Sequence, residues 1–495
     1  MLEGFVGAAA LVWNPFYLLM LLCGVTVGIV IGILPGVGGT VAMAIVLPFV
    51  FKLGEPSAAL ALIIGAGAVC VTSDSITAIL MGVPGTVGGA ATIMEGYSMA
   101  KKGLAGMALG AALTASLIGG LFGALCLTLS LPIARPLILM MGSPDFFMMS
   151  ILGIIAVATL GGQSPIKGCI AAGLGMIASC VGGAPGIGVF RYTLDQPYLF
   201  SGLPLVPVAL GVFAMPEIVD LLSRGTSIAD VPKSVKGLWD GVRAALKNIG
   251  WVWKGSLIGA YVGVLPGMGG SVANWMAYGY AVTGSKDRSQ FSKGDIRGLV
   301  APEAANNACV GGDMIPTILF GIPGGPMMSL LLAAFMIIGI FPGREMVTKH
   351  LPVTISMIWS LALANVFSAI ICFSFARPLA RITRIPIDLL APFILLTVIL
   401  GAFQSTRHWG DLFTLIGFGV LGWFCKRFGY PRPSLLVGYV LGNVAEQYMH
   451  ISILRYGDEW LYQPGVIIIG LLIVLTIWMS LRQNPQSSEA KTDNV

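Results

Sequence analysis

The chain has 495 residues, 56% of them hydrophobic and 10% charged, with 28 Lys and Arg against 22 Asp and Glu and a net charge of +6. A soluble domain carries about 25% charged residues, so a mean hydropathy of +0.89 excludes a chain with a water-facing surface throughout. The basic residues are dispersed rather than clustered among exposed aromatics, which argues against nucleic acid as a partner and for short cytoplasmic loops in a lipid bilayer. Ala105 to Leu131 and Val353 to Ala376 carry no charge, and about 20 such residues cross a hydrocarbon core as helix. The strict alternation of a membrane β-barrel is absent. The expected fold class is an all-α polytopic membrane protein.

Before Lys52 there is no Lys or Arg, so the basic start of a signal peptide is missing and the N-terminus is expected outside, on the non-cytoplasmic side. Next comes Gly28-x3-Gly32-Ile33-Leu34-Pro35-Gly36-Val37-Gly38-Gly39-Thr40, and then Asp74-x4-Ile79-Leu80-x-Gly82-Val83-Pro84-Gly85. Glu95 to Gly103 reads as a cytoplasmic loop of structural use, and Glu217 with Asp220 as solvated groups near a helix end. Residues 224–254 hold six basic residues against Asp230 and Asp240, the pattern of a cytoplasmic linker.

Both glycine-proline signatures then return. Gly259-x3-Gly263-Val264-Leu265-Pro266-Gly267-Met268-Gly269-Gly270-Ser271 repeats the first at an offset of 259 − 28 = 231, and Asp313-x4-Ile318-Leu319-x-Gly321-Ile322-Pro323-Gly324 repeats the second at 313 − 74 = 239. With 67 glycines in the chain a single match would mean little, but two ordered matches at almost constant offset mark an internal duplication. Further spans are expected at Val353 to Ala376, Ile387 to Phe403, Asp411 to Cys425, Ser434 to Tyr448 and Gly465 to Leu481. The basic loops at Arg377, Arg381, Arg384 and at Lys426, Arg427, Arg432 put the C-terminus in the cytoplasm. About eleven spans satisfy the pattern. The expected organisation is a first repeat over 1–223, the linker 224–247, a second repeat over 248–448, an extra C-terminal helix over 449–482 and a disordered tail over 483–495. With the first repeat starting outside and the second inside, the repeats have inverted topology, built on broken helices or re-entrant hairpins.

Proline lacks an N–H and glycine adopts backbone conformations other residues resist, so L-P-G-x-G-G interrupts a helix. Such backbone survives at membrane depth only when buried in protein or lining a wet cavity. The interruption leaves free N–H groups and a positive helix end, with Thr40 or Ser271 as a cap, and this favours an anion. A carboxylate could then be held without an Arg. The substrate-binding candidates are Gly36, Gly38, Gly39, Thr40, Gly267, Gly269, Gly270, Ser271 and Asn274, together with Pro84, Gly85, Pro323 and Gly324. A hairpin tip, or glycines that simply allow close helix packing, would also produce these motifs. Asp74 and Asp313 are ionisable groups in apolar surroundings, by default functional candidates. With Ser73, Ser75, Thr77, Asn306, Asn307 and Thr317 they form the cation-binding set, suited to Na⁺ or to a proton. Either Asp could instead cap a half-helix or lie at the membrane surface. No Cys/His cluster, P-loop or catalytic triad is present, so neither a metal centre, an organic cofactor nor an enzyme is expected.

The L-P-G-x-G-G motifs, Gly82-Val-Pro-Gly85, Glu95-Gly-Tyr-x-Met-Ala-Lys-Lys-Gly103, Pro302-Glu-Ala-Ala-Asn-Asn-Ala308, Gly321-Ile-Pro-Gly324 and the late run Gly429-Tyr-Pro-x-x-x-Leu435 with Leu441-Gly442 and Glu446 resemble the TctA family. That family supplies the large permease subunit of tripartite tricarboxylate transporters. The resemblance runs from about residue 15 to 482. Glu95 stands where Asp is commoner. The resemblance implies a bacterial inner-membrane carrier that works with a TctC-like periplasmic substrate-binding protein and a TctB-like small membrane subunit. It also implies uptake of citrate or another small carboxylate on a Na⁺ or H⁺ gradient. A passive anion channel, a carboxylate exporter and an intramembrane enzyme are the competing readings; the last would need a catalytic dyad that this sequence lacks.

Overall fold

The computed structural model describes residues 2–482, apart from 35, 87, 162–163, 186–187, 224–235, 377 and 380–386. The loop carrying Arg377, Arg381 and Arg384, the first half of the 224–247 linker and the 483–495 tail therefore lie outside the described residues. Apart from a two-residue antiparallel ladder, Gly182–Gly183 on Phe190–Arg191, the described chain is helical.

The first half runs α1 (Leu2–Val12), α2 (Pro15–Gly32), α3 (Gly38–Val50), α4 (Pro56–Met81), α5 (Ala90–Lys101), α6 (Ala105–Met140), α7 (Ser143–Leu160), α8 (Pro165–Ser179), the short α9 (Pro197–Phe200) and α10 (Leu205–Ser223). An amphipathic α11 (Leu238–Lys247) follows and lies along α6, where Gly241 meets the Met107 carbonyl. The second half runs α12 (Ile249–Val264), α13 (Gly269–Gly284), α14 (Ile296–Phe320), α15 (Pro326–Ile337), the short α16 (Arg344–Val347), α17 (Leu351–Ser374), α18 (Ile387–Phe403), α19 (Gly410–Arg427), α20 (Arg432–Tyr456) and α21 (Pro464–Arg482). The five spans expected from 353 onward each coincide with a helix, although α20 runs on past 448 to Tyr456.

Five helices among the described residues are long and apolar enough to cross a membrane, α2, α4, α6, α7 and α17, or six if the bent pair α20–α21 counts as one span. Shorter apolar helices such as α3 and α15 accompany them, because the glycine-proline interruptions cut the apolar sequence into pieces too short to span alone. The molecule is an all-α polytopic membrane protein. Its lipid-facing surface carries exposed Leu, Ile and aromatic side chains such as Leu129, Ile133 and Trp253.

Glycine spacing decides how the long helices meet. A Cβ added at Gly24, Gly28 or Gly32 of α2 would lie 2.1, 2.5 and 2.6 Å from the carbonyls of Leu62, Ala66 and Cys70 of α4. Only glycine lets these backbones approach so closely. The constant difference of 38 means that α2 and α4 run parallel, so α3, which joins them, must run back. The interruption at 33–37 is thus the tip of a helical hairpin. Met81 lies eleven residues, roughly 16 Å, beyond Cys70, so the tip ends inside the bundle and the hairpin is re-entrant. The second half repeats this: Gly255, Gly259 and Gly263 of α12 meet the carbonyls of Ala301, Ala305 and Cys309 of α14 at 2.1, 2.2 and 2.4 Å.

The positive φ values repeat too: Gly36 (78°), Gly38 (73°) and Gly82 (68°) in the first half, Gly267 (84°), Gly269 (64°) and Gly321 (71°) in the second. The equivalent helices α4 and α14 cross antiparallel. Their hydrogen-bonded partners Ser75 and Glu303, Thr72 and Asn307, Val71 and Asn306 have residue numbers summing to 378, 379 and 377. Related helices that run in opposite senses are what inverted repeats require.

Candidate functional site

In each half the two interruptions clasp each other. Gly36 N–H donates to the Pro84 carbonyl (3.3 Å) and Gly267 N–H to the Gly324 carbonyl (2.8 Å). Each clasp covers its half's buried carboxylate. A Cβ at Gly85 would lie 2.6 Å from the Asp74 Cβ, and one at Gly324 would lie 2.4 Å from the Asp313 Cα.

Between the clasps lies a cavity of about 480 Å³, within the usual range for small-molecule sites of about 300–1,000 Å³. Its floor is made by the starts of four helices: Gly38, Gly39 and Thr40 of α3, Ala90 of α5, Gly270 and Ser271 of α13, Pro326 and Met327 of α15. None of the four receives a side-chain cap bond. Thr40 and Ser271 are therefore not the caps expected of them. The helices begin two residues earlier, at Gly38 and Gly269, and both hydroxyl residues sit in the first turn. Four positive helix ends face one space, a field that favours an anion.

Of the expected substrate residues, Gly36, Gly38, Gly39, Thr40, Pro84, Gly85, Gly270 and Ser271 line this cavity. Gly267, Gly269, Asn274, Pro323 and Gly324 do not. Gly267 and Gly324 are spent on the clasp, and Asn274 Nδ2 donates to the Gly88 carbonyl across the halves at 2.8 Å. The Asn274 Oδ1 is buried without a partner.

The expected cation residues do not form one cluster. Asp74 accepts from the Thr86 hydroxyl, and its Oδ1 is buried without a partner. Ser73 turns to the Gly28 and Cys70 carbonyls, Ser75 donates to Glu303 at 2.6 Å, and Thr77 bonds the backbone carbonyl of Asp74. Asn307 and Thr72 bond each other. Asn306 lines the cavity and donates to the Val71 carbonyl. Asp313 has Cys309 Sγ at 3.6 Å, while Thr317 bonds the Asp313 carbonyl. The helix advances about 100° per residue, so the run Ser73-Asp74-Ser75 faces three directions.

Three groups escaped the sequence reading. Glu303 is fully buried and accepts from the hydroxyls of Ser75, Thr92 and Ser116; its place in the Pro302–Ala308 motif was the available signal. Thr86 lines the cavity beside Asp74. Arg432 and Glu217 also line it, paired at 2.8 Å. Glu217, expected to be solvated, is 8% exposed, because α10 carries it inward against α19 and α20. The cavity thus does contain an Arg, contrary to the expectation of an anion site without one. Glu95, read as a loop residue, is likewise fully buried on α5. It accepts from the N–H groups of Ser292, Gly294 and Asp295 and from the Tyr278 hydroxyl, tying the first half to the loop before α14. Glu446 pairs with Arg191 through two bonds of 2.8 Å.

Residues 18–437 match the Tripartite tricarboxylate transporter TctA family. An uncharacterised 52.8 kDa protein in the TAR-I ttuC' 3' region of Agrobacterium vitis is 31% identical over 462 residues, 93% of this chain and 92% of that protein. A second uncharacterised protein, from the TAR-II ttuC' 3' region of the same organism, is 30% identical over 231 residues, 45% of this chain and 96% of its own. No solved structure matches. The family match spans both clasps, the four helix ends and the start of α20, and this chain belongs to the TctA family of tripartite tricarboxylate transporters.

Proposed function

We propose that this chain is the large permease subunit of a binding-protein-dependent transporter that takes up small carboxylates by secondary active transport. The observation that carries the reading is the cavity on which four uncapped helix starts and Arg432 converge. Such a site neutralises a carboxylate through N–H groups, positive helix ends and one guanidinium. Inverted repeats with interrupted helices at their interface are the architecture of alternating access. The substrate sits between the clasps, and the two halves rock about it.

Asp74 and Asp313 carry the coupling cation, Na⁺ or H⁺. Asp74 is the better placed of the two, since Thr86 links its carboxylate to the cavity wall. The protein lies in a bacterial inner membrane with its N-terminus periplasmic and its C-terminus cytoplasmic, as the basic loop at Lys426, Arg427 and Arg432 favours. It works with a TctB-like small membrane subunit and a TctC-like periplasmic binding protein that delivers the substrate; specificity is shared with that protein. The test is uptake in proteoliposomes containing all three proteins, with citrate, malate, succinate and benzoate offered under separate Na⁺ and proton gradients. Accumulation of at least one acid that collapses with one gradient is expected. Flux that only equilibrates the acid, whatever the gradient, would favour a channel.

A further inference from the structure

One wall of the central cavity is built from charges. Arg432 at the start of α20 donates through Nη2 to Glu217 Oε1 of α10 at 2.8 Å, Glu217 Oε2 accepts from Lys426 Nζ of α19 at 2.6 Å, and the same ammonium lies 2.6 Å from Asp220 Oδ2. Glu217 and Arg432 line the central cavity, whereas Asp220, Lys426 and Arg427 line a separate pocket of about 440 Å³. The four charges therefore stand between two spaces. The pair on the central cavity is the more buried: side-chain exposure is 10% at Glu217 and 18% at Arg432, but 27% at both Lys426 and Asp220.

We propose that Glu217 is a built-in stand-in for a substrate carboxylate, holding Arg432 until a substrate arrives and yielding it to that substrate's carboxylate. This rests on the carboxylate-permease reading above. Three features of the wall carry it. Glu217 takes only one strong bond from Arg432; the other terminal nitrogen reaches no better partner than the Val212 carbonyl at 3.5 Å. A substrate carboxylate can use both nitrogens at once, and bidentate pairs are the stronger kind. The exchange also leaves no buried charge alone, a condition that otherwise makes breaking such pairs costly. Released from Arg432, Glu217 keeps Lys426, and Arg432 keeps an anion. Finally, the pair ties α10 of the first half to α20 of the second, so losing it loosens the wall facing the second pocket. Lys426 and Arg427 lie there as the next positive groups along the way. The substrate thereby opens its own exit.

The experiment measures initial uptake in reconstituted transporter, using the acid from the citrate, malate, succinate and benzoate panel that the wild type accumulates. Glu217→Gln removes the competing carboxylate. If Glu217 occupies Arg432 for nine-tenths of the time, its loss lowers KM about tenfold. Arg432→Gln raises KM by more than about tenfold, and Arg432→Lys recovers only part of that loss, having no fork. The double variant Glu217→Gln/Arg432→Gln matches Arg432→Gln alone, because there is nothing left to compete for. Glu217→Asp, which keeps its charge beside Lys426, lowers KM less than Glu217→Gln and serves if the Gln variant does not insert. A KM that is unchanged or raised in these Glu217 variants, or additive losses in the double variant, would make the pair a brace and overturn the proposal. Failure of the wild type to accumulate any of the four acids would instead remove the carboxylate reading beneath it.

Discussion

The interruption after α4 runs from Gly82 to Gly89 and carries Thr86, whose hydroxyl donates to Asp74. The one after α14 runs only from Gly321 to Gly325, and Gly325 takes the place of Thr86 (325 − 86 = 239), where an added Cβ would lie 2.7 Å from the Asp313 carboxylate. The polar residues around the two aspartates are also shifted. In α4 they follow or flank Asp74, at Thr72, Ser73, Ser75 and Thr77. In α14 most of them precede Asp313, at Glu303, Asn306 and Asn307, which correspond to Ile64, Gly67 and Ala68, while Thr317 follows it. Because the two helices cross antiparallel, this shift brings Ser75 to Glu303 and Thr72 to Asn307. The symmetry-related place has Ile64 and Met314, both in the apolar core. Duplication preserved the backbone, where glycine is sterically required. The side chains diverged so that one end of the crossing is polar and the other dry.

If that division holds, substitutions of the carboxylates have the largest effects. Asp74→Ala and Asp313→Ala should each abolish uptake while leaving membrane levels normal on a blot. Normal uptake in Asp313→Ala alone would assign coupling to the first half only. Next come the backbone contacts. Gly28→Ala and Gly259→Ala place a Cβ 2.5 and 2.2 Å from a facing carbonyl, and overpacking of this kind costs about 1–3 kcal/mol. Thermal unfolding in detergent should lose a similar amount for both, and a large inequality would break the equivalence of the two hairpins. Thr86→Val leaves Asp74 without its hydroxyl donor; a lost bond to a charged group is worth about 1.5–3 kcal/mol, read as a fall of tenfold or more in uptake rate. The smallest effect belongs to Glu446→Gln, which weakens a partly exposed pair with Arg191 and should cost at most about 1 kcal/mol in the same melt.

Much of the architecture could be read in advance. Apolar blocks marked the helices over 351–374, 387–403 and 464–482 to within two residues, because transfer from water to lipid depends on composition summed along a segment. The interruptions were legible because Pro and Gly act on their own backbone, whatever packs around them. The cation-binding candidates were the least legible. Ser73, Asp74 and Ser75 are neighbours in sequence, yet a helix turns them towards α2, the clasp and Glu303 respectively.

Composition, the duplicated motifs and the basic loops determined that this chain is an all-α membrane protein made of two related halves, each broken at a glycine-proline turn. Those properties reside in single residues or short windows, so they need no knowledge of the fold. Only the tertiary structure decided that the turns are hairpin tips facing a common cavity, and that Glu217 and Arg432, 215 residues apart, meet at its wall. Contacts between α10 of one half and α20 of the other depend on how the halves interlock. That in turn is set by glycine faces packing at close range, and no local window of sequence holds that information.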